Sequence, residues 1–430
     1  MFTEDDKLWL LELLRAPSVS PLEGGSTTDL QAAQQIVIDG AVARGFRLKA
    51  LHRPDASLAL DPILPAPVRE RIAQEGVGFL TEQPSAVLAI GRTDDPKRTI
   101  VLNFHVDTVG PHIVPELRGD VVHARGAVDD KGPGVAAIVG VAAAFRADPG
   151  LLDEVGVIVT AVPGEESGAF GVYGTRDVLA RGDVRGSLMV FLEPTGGRVI
   201  DAASGVMTPE FVVSGRDSTD DLPTLGTNAT LILAHAATTL TEALSPVAEE
   251  IGAKLCVAGI HTGDAHNRVY GTGKLKLNIA YFTQEQRTRM EEAVEAAVAN
   301  LADRFETDLG YFPEARAASA AYGEVMRLDW QKRGLPALAN RHPHLEKILA
   351  DSGFERADGP AHEVAFTCDA VWAQDHANYV VVLGPGELGA NGAHTDDEHV
   401  TLTELGWFAG RIRSLVEQFA ADYAASVDGG

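Results

Sequence analysis

Cysteine and positive charge are both scarce in this chain of 430 residues, and each shortage removes a class of function. The two cysteines, Cys256 and Cys368, form no CxxC pair and cannot build a disulfide framework; two free thiols suit a reducing cytoplasm. Lys and Arg number 36 against 61 Asp and Glu, a formal net charge of −25. Such a chain repels a polyanion, which argues against nucleic acid, and it is equally ill suited to an anionic membrane surface. The N-terminal "MFTEDDKLWLLELL" lacks the basic region of a secretory signal. No apolar run in the sequence approaches the ~20 residues that span a bilayer. These absences predict a soluble, cytoplasmic protein acting on a small molecule, with neither nucleic acid nor membrane as partner.

What remains is ordinary globular composition, 45% apolar and 23% charged, in a chain long enough for two or three domains. Thr3 and Asp6 read as a capping box for a helix with Leu8, Leu11 and Leu14 on one face, stopped by Pro17. A second helix is predicted from Asp29 to Arg44. Four continuous apolar runs follow: Thr99–Phe104, Val155–Val162, Ser187–Leu192 and Asn378–Leu383. Unbroken runs suit strands buried on both faces of a parallel or mixed sheet. Helical stretches lie between them (Gly134–Arg146) and after them (Leu402–Ala424), so the pattern is α/β with helices on both faces of a mixed central sheet. Residues 205–335 differ. Strand-like Glu210–Gly215, an alanine-rich helix Asn228–Ile251, strands Leu255–His261 and Lys274–Phe282, and a helix Glu285–Arg304 give a β-α-β-β-α order, that of a small sheet with helices on one face. The fourth run comes after this segment. The expected organisation is therefore a large domain in two parts, 1–204 and 336–430, with 205–335 inserted.

The chemistry sits directly after the apolar runs. The first is followed by His105-Val106-Asp107, the second by Glu165-Glu166, the third by Glu193, and the fourth, past a glycine-rich stretch, by His394. Ligands of open α/β sheets bind at the carboxyl ends of the strands, so these side chains are expected to converge. "ARGAVDDKG" adds Asp129 and Asp130. Two imidazoles with several carboxylates and no thiolate suit Zn²⁺, Mn²⁺ or Co²⁺, and a shared carboxylate would make a two-metal hydrolytic site. The Asp107 carboxylate is placed to hold the second nitrogen of His105. Of the adjacent Glu165 and Glu166, one can bind metal while the other takes a proton from water. Taken singly, each of these motifs would be as compatible with a capping or solvated role.

Together, "HVDTVG", "ARGAVDDKG", "GEESG", "LEPTGG" and "GAHTDDEHV" resemble the M20 metallopeptidase family, in order and along essentially the whole chain. The resemblance implies a zinc-peptidase-like catalytic domain carrying a ferredoxin-like lid and dimerisation domain, and hence a homodimer through the small domain. It implies two divalent ions bridged by Asp129, with His105 and Glu193 completing one position and Glu166 and His394 the other. Glu165 would be the general base and Asp107 the partner of His105, and the Asp129–Asp130 peptide would be cis. Cys368 and Asp369 fall where the family has a loop facing the substrate.

Two departures concern substrate reading. The family histidine that steadies the oxyanion falls at Thr219, within "GRDSTDDLPTLGTNA", where a hydroxyl can donate a hydrogen bond but brings no charge. In "HTGDAHNRVYG", Asn267 is kept, while His261, His266 and Arg268 are additional polar groups. His266 and Arg268 are the candidates to replace the histidine or to grip an anion. The leading expectation is a dinuclear hydrolase cleaving a C–N bond in a peptide or N-acyl amide. The alternatives are an aminohydrolase deaminating an aromatic amine of the nitroanthranilate kind, which the loss at Thr219 favours, and a non-catalytic binding protein on the same fold.

Overall fold

The computed structural model describes residues 2–428, with side chains as far as Asp422. The chain divides into two compact units, one of residues 1–203 and 338–430, the other of residues 204–337.

In the larger unit six strands form one sheet, in the order Arg47–His52, Ser85–Gly91, Gly156–Val162, Thr99–His105, Gly186–Phe191, Ala377–Val382. The last four run parallel to one another, whereas Ser85–Gly91 pairs antiparallel with both of its neighbours. All seven residues of Thr99–His105 and of Gly156–Val162 are buried, as expected for strands covered on both faces. The two additional strands carry no chemistry at their ends. Arg47–His52 is a mostly exposed edge bearing Arg47 and Lys49, charges that keep such an edge from pairing further.

One helix, Lys131–Ala147, is buried along nearly its whole length and packs against Leu402–Asp428. Small residues make this possible. A Cβ on Gly140 would lie 2.3 Å from the Ala409 carbonyl oxygen, and one on Gly134 would lie 2.4 Å from the Phe104 ring. At the N-terminus the capping box of Thr3 and Asp6 opens Glu4–Arg15. Leu8, however, is exposed, while Leu10, Leu11, Leu13 and Leu14 are buried. Steps of three residues drift by about 60° on a helix of 3.6 residues per turn, so Leu8 and Leu14 cannot share a face.

The inserted unit is a four-stranded antiparallel sheet in the order Lys254–His261, Thr272–Tyr281, Gly205–Ser214, Met326–Lys332. With helices on one face this is the β-α-β-β-α-β, ferredoxin-like arrangement. Its core joins Phe211, Val213, Leu275, Leu277 and Ile279 of the sheet to Ile232, Leu233, Ala236, Leu240 and Leu244 of the helix Ala229–Ile251. That helix is long and apolar enough to cross a bilayer, contrary to the expectation that nothing in the chain is. Its buried residues recur at helical spacing and cover the sheet, which accounts for the apolar stripe. The single helix expected over Glu285–Arg304 is two, Gln284–Ala299 and Leu301–Leu309. They meet at Asn300, whose side-chain amide donates to the Ala296 carbonyl and competes with the backbone.

Candidate metal centre

The carboxyl ends of the parallel strands bring the polar residues together. His105 is the last residue of its strand, with a side chain only 2% exposed. Its Nδ1 lies 2.8 Å from the Asp107 carbonyl oxygen, which can only accept. Nδ1 therefore carries the proton, and Nε2 faces inward. The Asp107 carboxylate was expected to hold this nitrogen but is 3.9 Å from it. It is used instead by the next strand's loop, whose Glu165 N–H donates to Oδ1 (3.3 Å) and Glu166 N–H to Oδ2 (3.2 Å). The ring is thus held by the Asp107 carbonyl, and the Asp107 side chain is left to cap that loop.

Asp129 stands at the middle. Its Oδ1 is 2.9 Å from His105 Nε2 and its Oδ2 is 3.1 Å from His394 Nε2, so one carboxylate addresses the two imidazoles with different oxygens. Glu193 Oε1 is 3.9 Å from His105 Nε2, and Glu166 Oε1 is 3.1 Å from His394 Nε2. Two overlapping groups result, His105–Asp129–Glu193 and Asp129–Glu166–His394, each with its ligand atoms within 4.8 Å of one another. His105, Glu165 and Glu166 form a third such group. The Asp129–Asp130 peptide is cis. His394 adopts a left-handed φ of 63° and is the most open of the five, its side chain 52% exposed.

The electrostatics are those of crowded carboxylates awaiting positive charge. Burial, reinforced by neighbouring carboxylates, pushes Glu165 and Glu193 well above the usual carboxylate range and raises Glu166 as well. Burial alone would also raise Asp129, but hydrogen bonds from the two histidines hold it low. The same contacts raise His394 to about 10. Nitrogen and carboxylate oxygen donors in two triads sharing one carboxylate fit a pair of divalent cations.

Cys368 and Asp369 are buried in the same unit. Asp369 accepts from the Thr175 hydroxyl, and burial pushes its carboxyl up to about 6. Thr219, His266, Asn267 and Arg268 belong to the inserted unit. Thr219 and Arg268 are cross-strand partners there, and the Arg268 guanidinium is engaged by Asp217 and lies over the Tyr270 ring. Asp217, two positions before Thr219, is thus the ion-pair partner of Arg268 in this structure. His266 and Asn267 are exposed. The motifs also hold Arg125, Lys131 and Glu398, charged residues that the sequence pattern gives no role. All three are buried, and the carboxylate of Glu398 receives the N–H groups of Val128 and Asp129.

Comparison with known proteins agrees with this geometry. Among solved structures, a tripeptidase from Staphylococcus aureus superposes with a TM-score of 0.66 at 17% identity, over 97% of this chain and 98% of that one. An M20 family metallo-carboxypeptidase from Sulfolobus solfataricus gives 0.66 at 13%, over 97% and 100%. Among curated proteins, a chain from Aeropyrum pernix named as a LysW-lysine/LysW-ornithine hydrolase is 32% identical over 218 residues, 50% of this chain and 57% of its own length. A succinyl-diaminopimelate desuccinylase from Sphingopyxis alaskensis is 35% identical over 119 residues, 25% of this chain and 29% of its own. This chain thus spans little more than half of one curated relative and under a third of the other. Residues 101–418 match Peptidase family M20/M25/M40. With that match extending over most of its length, and a two-histidine, three-carboxylate cluster gathered beyond the ends of its parallel strands, the chain belongs to the M20/M25/M40 peptidase family.

Proposed function

We propose that the protein is a dinuclear metal hydrolase that cleaves the amide C–N bond of a small peptide or N-acyl substrate. The observation that carries this reading is the placement of Asp129 between two imidazoles, each with a further carboxylate at hand. His105 and Glu193 would hold one cation, His394 and Glu166 the other, with Asp129 shared. Zn²⁺, Mn²⁺ or Co²⁺ there would polarise the scissile carbonyl and lower the pKa of water.

The chain's own residues supply the rest. Glu165 is the carboxylate with no ligand duty in either triad that shares Asp129. Burial favours its protonated form, so it can take the proton of attacking water and deliver it to the departing nitrogen. Asp107 fixes Glu165 and Glu166 together by accepting both of their N–H groups, and through its carbonyl it orients His105. The names of the two curated relatives, a hydrolase and a desuccinylase, support amide substrates. Pairing of two copies through the inserted unit is supported by the edge strand Lys254–His261, which exposes Val257 and Ile260, and mass measurement by analytical ultracentrifugation of Val257→Lys against the parent chain would test it.

The activity is tested by incubating the cation-loaded protein with a panel of dipeptides, N-acyl amino acids and aromatic amines. Release of a free amino acid, abolished by chelator and lowered ~10²–10⁴-fold in Glu165→Gln, is the expected result. Ammonia release from aromatic amines alone would transfer the assignment to an aminohydrolase. Full activity in Glu165→Gln would reject the role given to that residue.

A further inference from the structure

We propose that the buried pair Arg125–Glu398 is a positioning clamp that sets Asp129 and His394 at the spacing two cations require. This rests on the dinuclear reading above. Arg125 and Glu398 are each 1% exposed, and Arg125 Nη1 donates to Glu398 Oε2 at 2.6 Å. The other carboxylate oxygen, Oε1, accepts from Val128 N–H (3.2 Å) and Asp129 N–H (3.3 Å), so it grips the backbone of the bridging ligand itself. Arg125 Nη1 also donates to the Thr395 carbonyl (3.1 Å), next to His394. Each partner of the pair thus holds the other's segment, Glu398 that of Asp129 and Arg125 that of His394.

The surrounding backbone makes the same connection. Ala124 N–H donates to the Glu398 carbonyl, and His123 and Val122 pair antiparallel with His399 and Val400. This ladder aligns the two segments but ends before either ligand: Asp129 lies six residues beyond His123, and His394 five before His399. The ion pair spans the remainder. A buried ion pair is poor evidence of stabilisation, because desolvating both charges offsets most of their attraction. Its value here is geometric, since a guanidinium and a carboxylate with several fixed partners tolerate little displacement. Neither side chain is within the two ligand triads, so both act through Asp129 and His394 and not on substrate.

The test is titration of the chelator-treated full chain with Zn²⁺ against a chromogenic competitor, alongside thermal melting. Arg125→Met/Glu398→Leu removes both charges at similar volume and should keep a melting temperature near the parent's, yet bind at least one of two Zn²⁺ ions ~10–100-fold more weakly. Glu398→Gln should show the same loss of affinity. Arg125→Lys, which keeps a charge for Glu398 but not the guanidinium geometry, should lose less affinity than the double variant. With an amide substrate, kcat of the double variant should recover in excess Zn²⁺ while KM moves less than kcat. Parent-like affinity for both ions in Glu398→Gln or the double variant overturns the clamp, whatever the stability. A parent chain that takes up no Zn²⁺ overturns the dinuclear reading itself, and the clamp with it.

Discussion

Removing divalent cations should destabilise the larger unit by an amount that grows with pH. In the cation-free pocket Glu165 and Glu193 are pushed well above the carboxylate range by burial, and His105 is raised against its burial by its hydrogen bond with Asp129. A group whose folded pKa is raised contributes stability that is complete below its unfolded value and lost as pH climbs toward the folded one. For a glutamate that loss begins near pH 4.5. Every proton that the folded chain retains and the unfolded chain releases gives a slope of about 1.4 kcal/mol per pH unit. Between pH 5.5 and 7 this amounts to about 2 kcal/mol for one retained proton and about 4 kcal/mol for two.

Bound cations displace those protons, so the loaded protein escapes the loss. The stability gap between loaded and stripped protein should therefore widen by about 2–4 kcal/mol over that interval. Comparing the two forms at each pH cancels groups that the cations leave alone, among them His112 and His376, which burial lowers. The assay is differential scanning calorimetry with Zn²⁺ or with chelator at pH 5.5, 6.2 and 7. Hydrogen exchange then locates the change, which should spare residues 204–337, because that unit has its own core and holds none of the five ligands. A gap that stays constant or narrows as pH rises would refute the reasoning.

Three further outcomes are expected. Asp6→Ala removes the capping carboxylate of the first helix and the partner of Arg44, 2.7 Å away and almost buried; chemical denaturation should register a loss of about 3 kcal/mol. Hydrogen bonds from Thr3 and Arg44 outweigh burial and keep Asp6 below the carboxylate range, so this contribution is present above pH 4 and fades as acid protonates it; Asp6→Ala should flatten the acid limb of the stability profile. Gly140→Ala drives a methyl group toward the Ala409 carbonyl and should cost about 1–3 kcal/mol in spite of the better helix propensity of alanine, whereas an unchanged melting temperature would mean that the two helices separate freely. Asp107→Asn replaces one of the two accepting oxygens by an NH₂ group, which faces the N–H of either Glu165 or Glu166, and Zn²⁺ titration should show about 10–100-fold weaker binding.

The sequence exposes the parallel half of the central sheet because its strands are buried on both faces and so read as unbroken apolar runs. The same logic makes His105, Glu166 and Glu193 legible, since each follows such a run closely, whereas Asp129 and His394 are marked only by the motifs around them. The edge strand Arg47–His52 has no such signature: half of its neighbours are solvent, and its residues alternate irregularly. Direction of side chains is lost for another reason. His105-x-Asp107 announces an interaction, yet whether the ring meets the carboxylate or the carbonyl depends on backbone geometry that no residue type specifies. Arg125 and Glu398 are 273 positions apart, and in the sequence both look like members of a charged, solvated stretch. The pairing of Arg268 with Asp217, 51 positions away, is equally invisible in the sequence.

A net charge of −25 says nothing of where the acid lies, but burial sorts it. Around the two histidines the fold gathers Asp107, Asp129, Asp130, Glu165, Glu166, Glu193, Asp369 and Glu398, all buried but for a half-buried Glu165. The buried cations among the described residues there are Arg125 and Lys131, and burial brings Lys131 down to about 7, near the point of losing its charge. Asp130, both of whose carboxylate oxygens are buried without a hydrogen-bond partner, is raised well above its usual range by burial, and Glu165 is raised in the same way. Carboxylates crowded at this density favour either bound cations or retained protons, so cation uptake should release protons from the pocket. Glu165, outside both triads that share Asp129, is then left as a carboxylate with a raised proton affinity, which is what a group that accepts a proton from water and passes it to the leaving nitrogen requires.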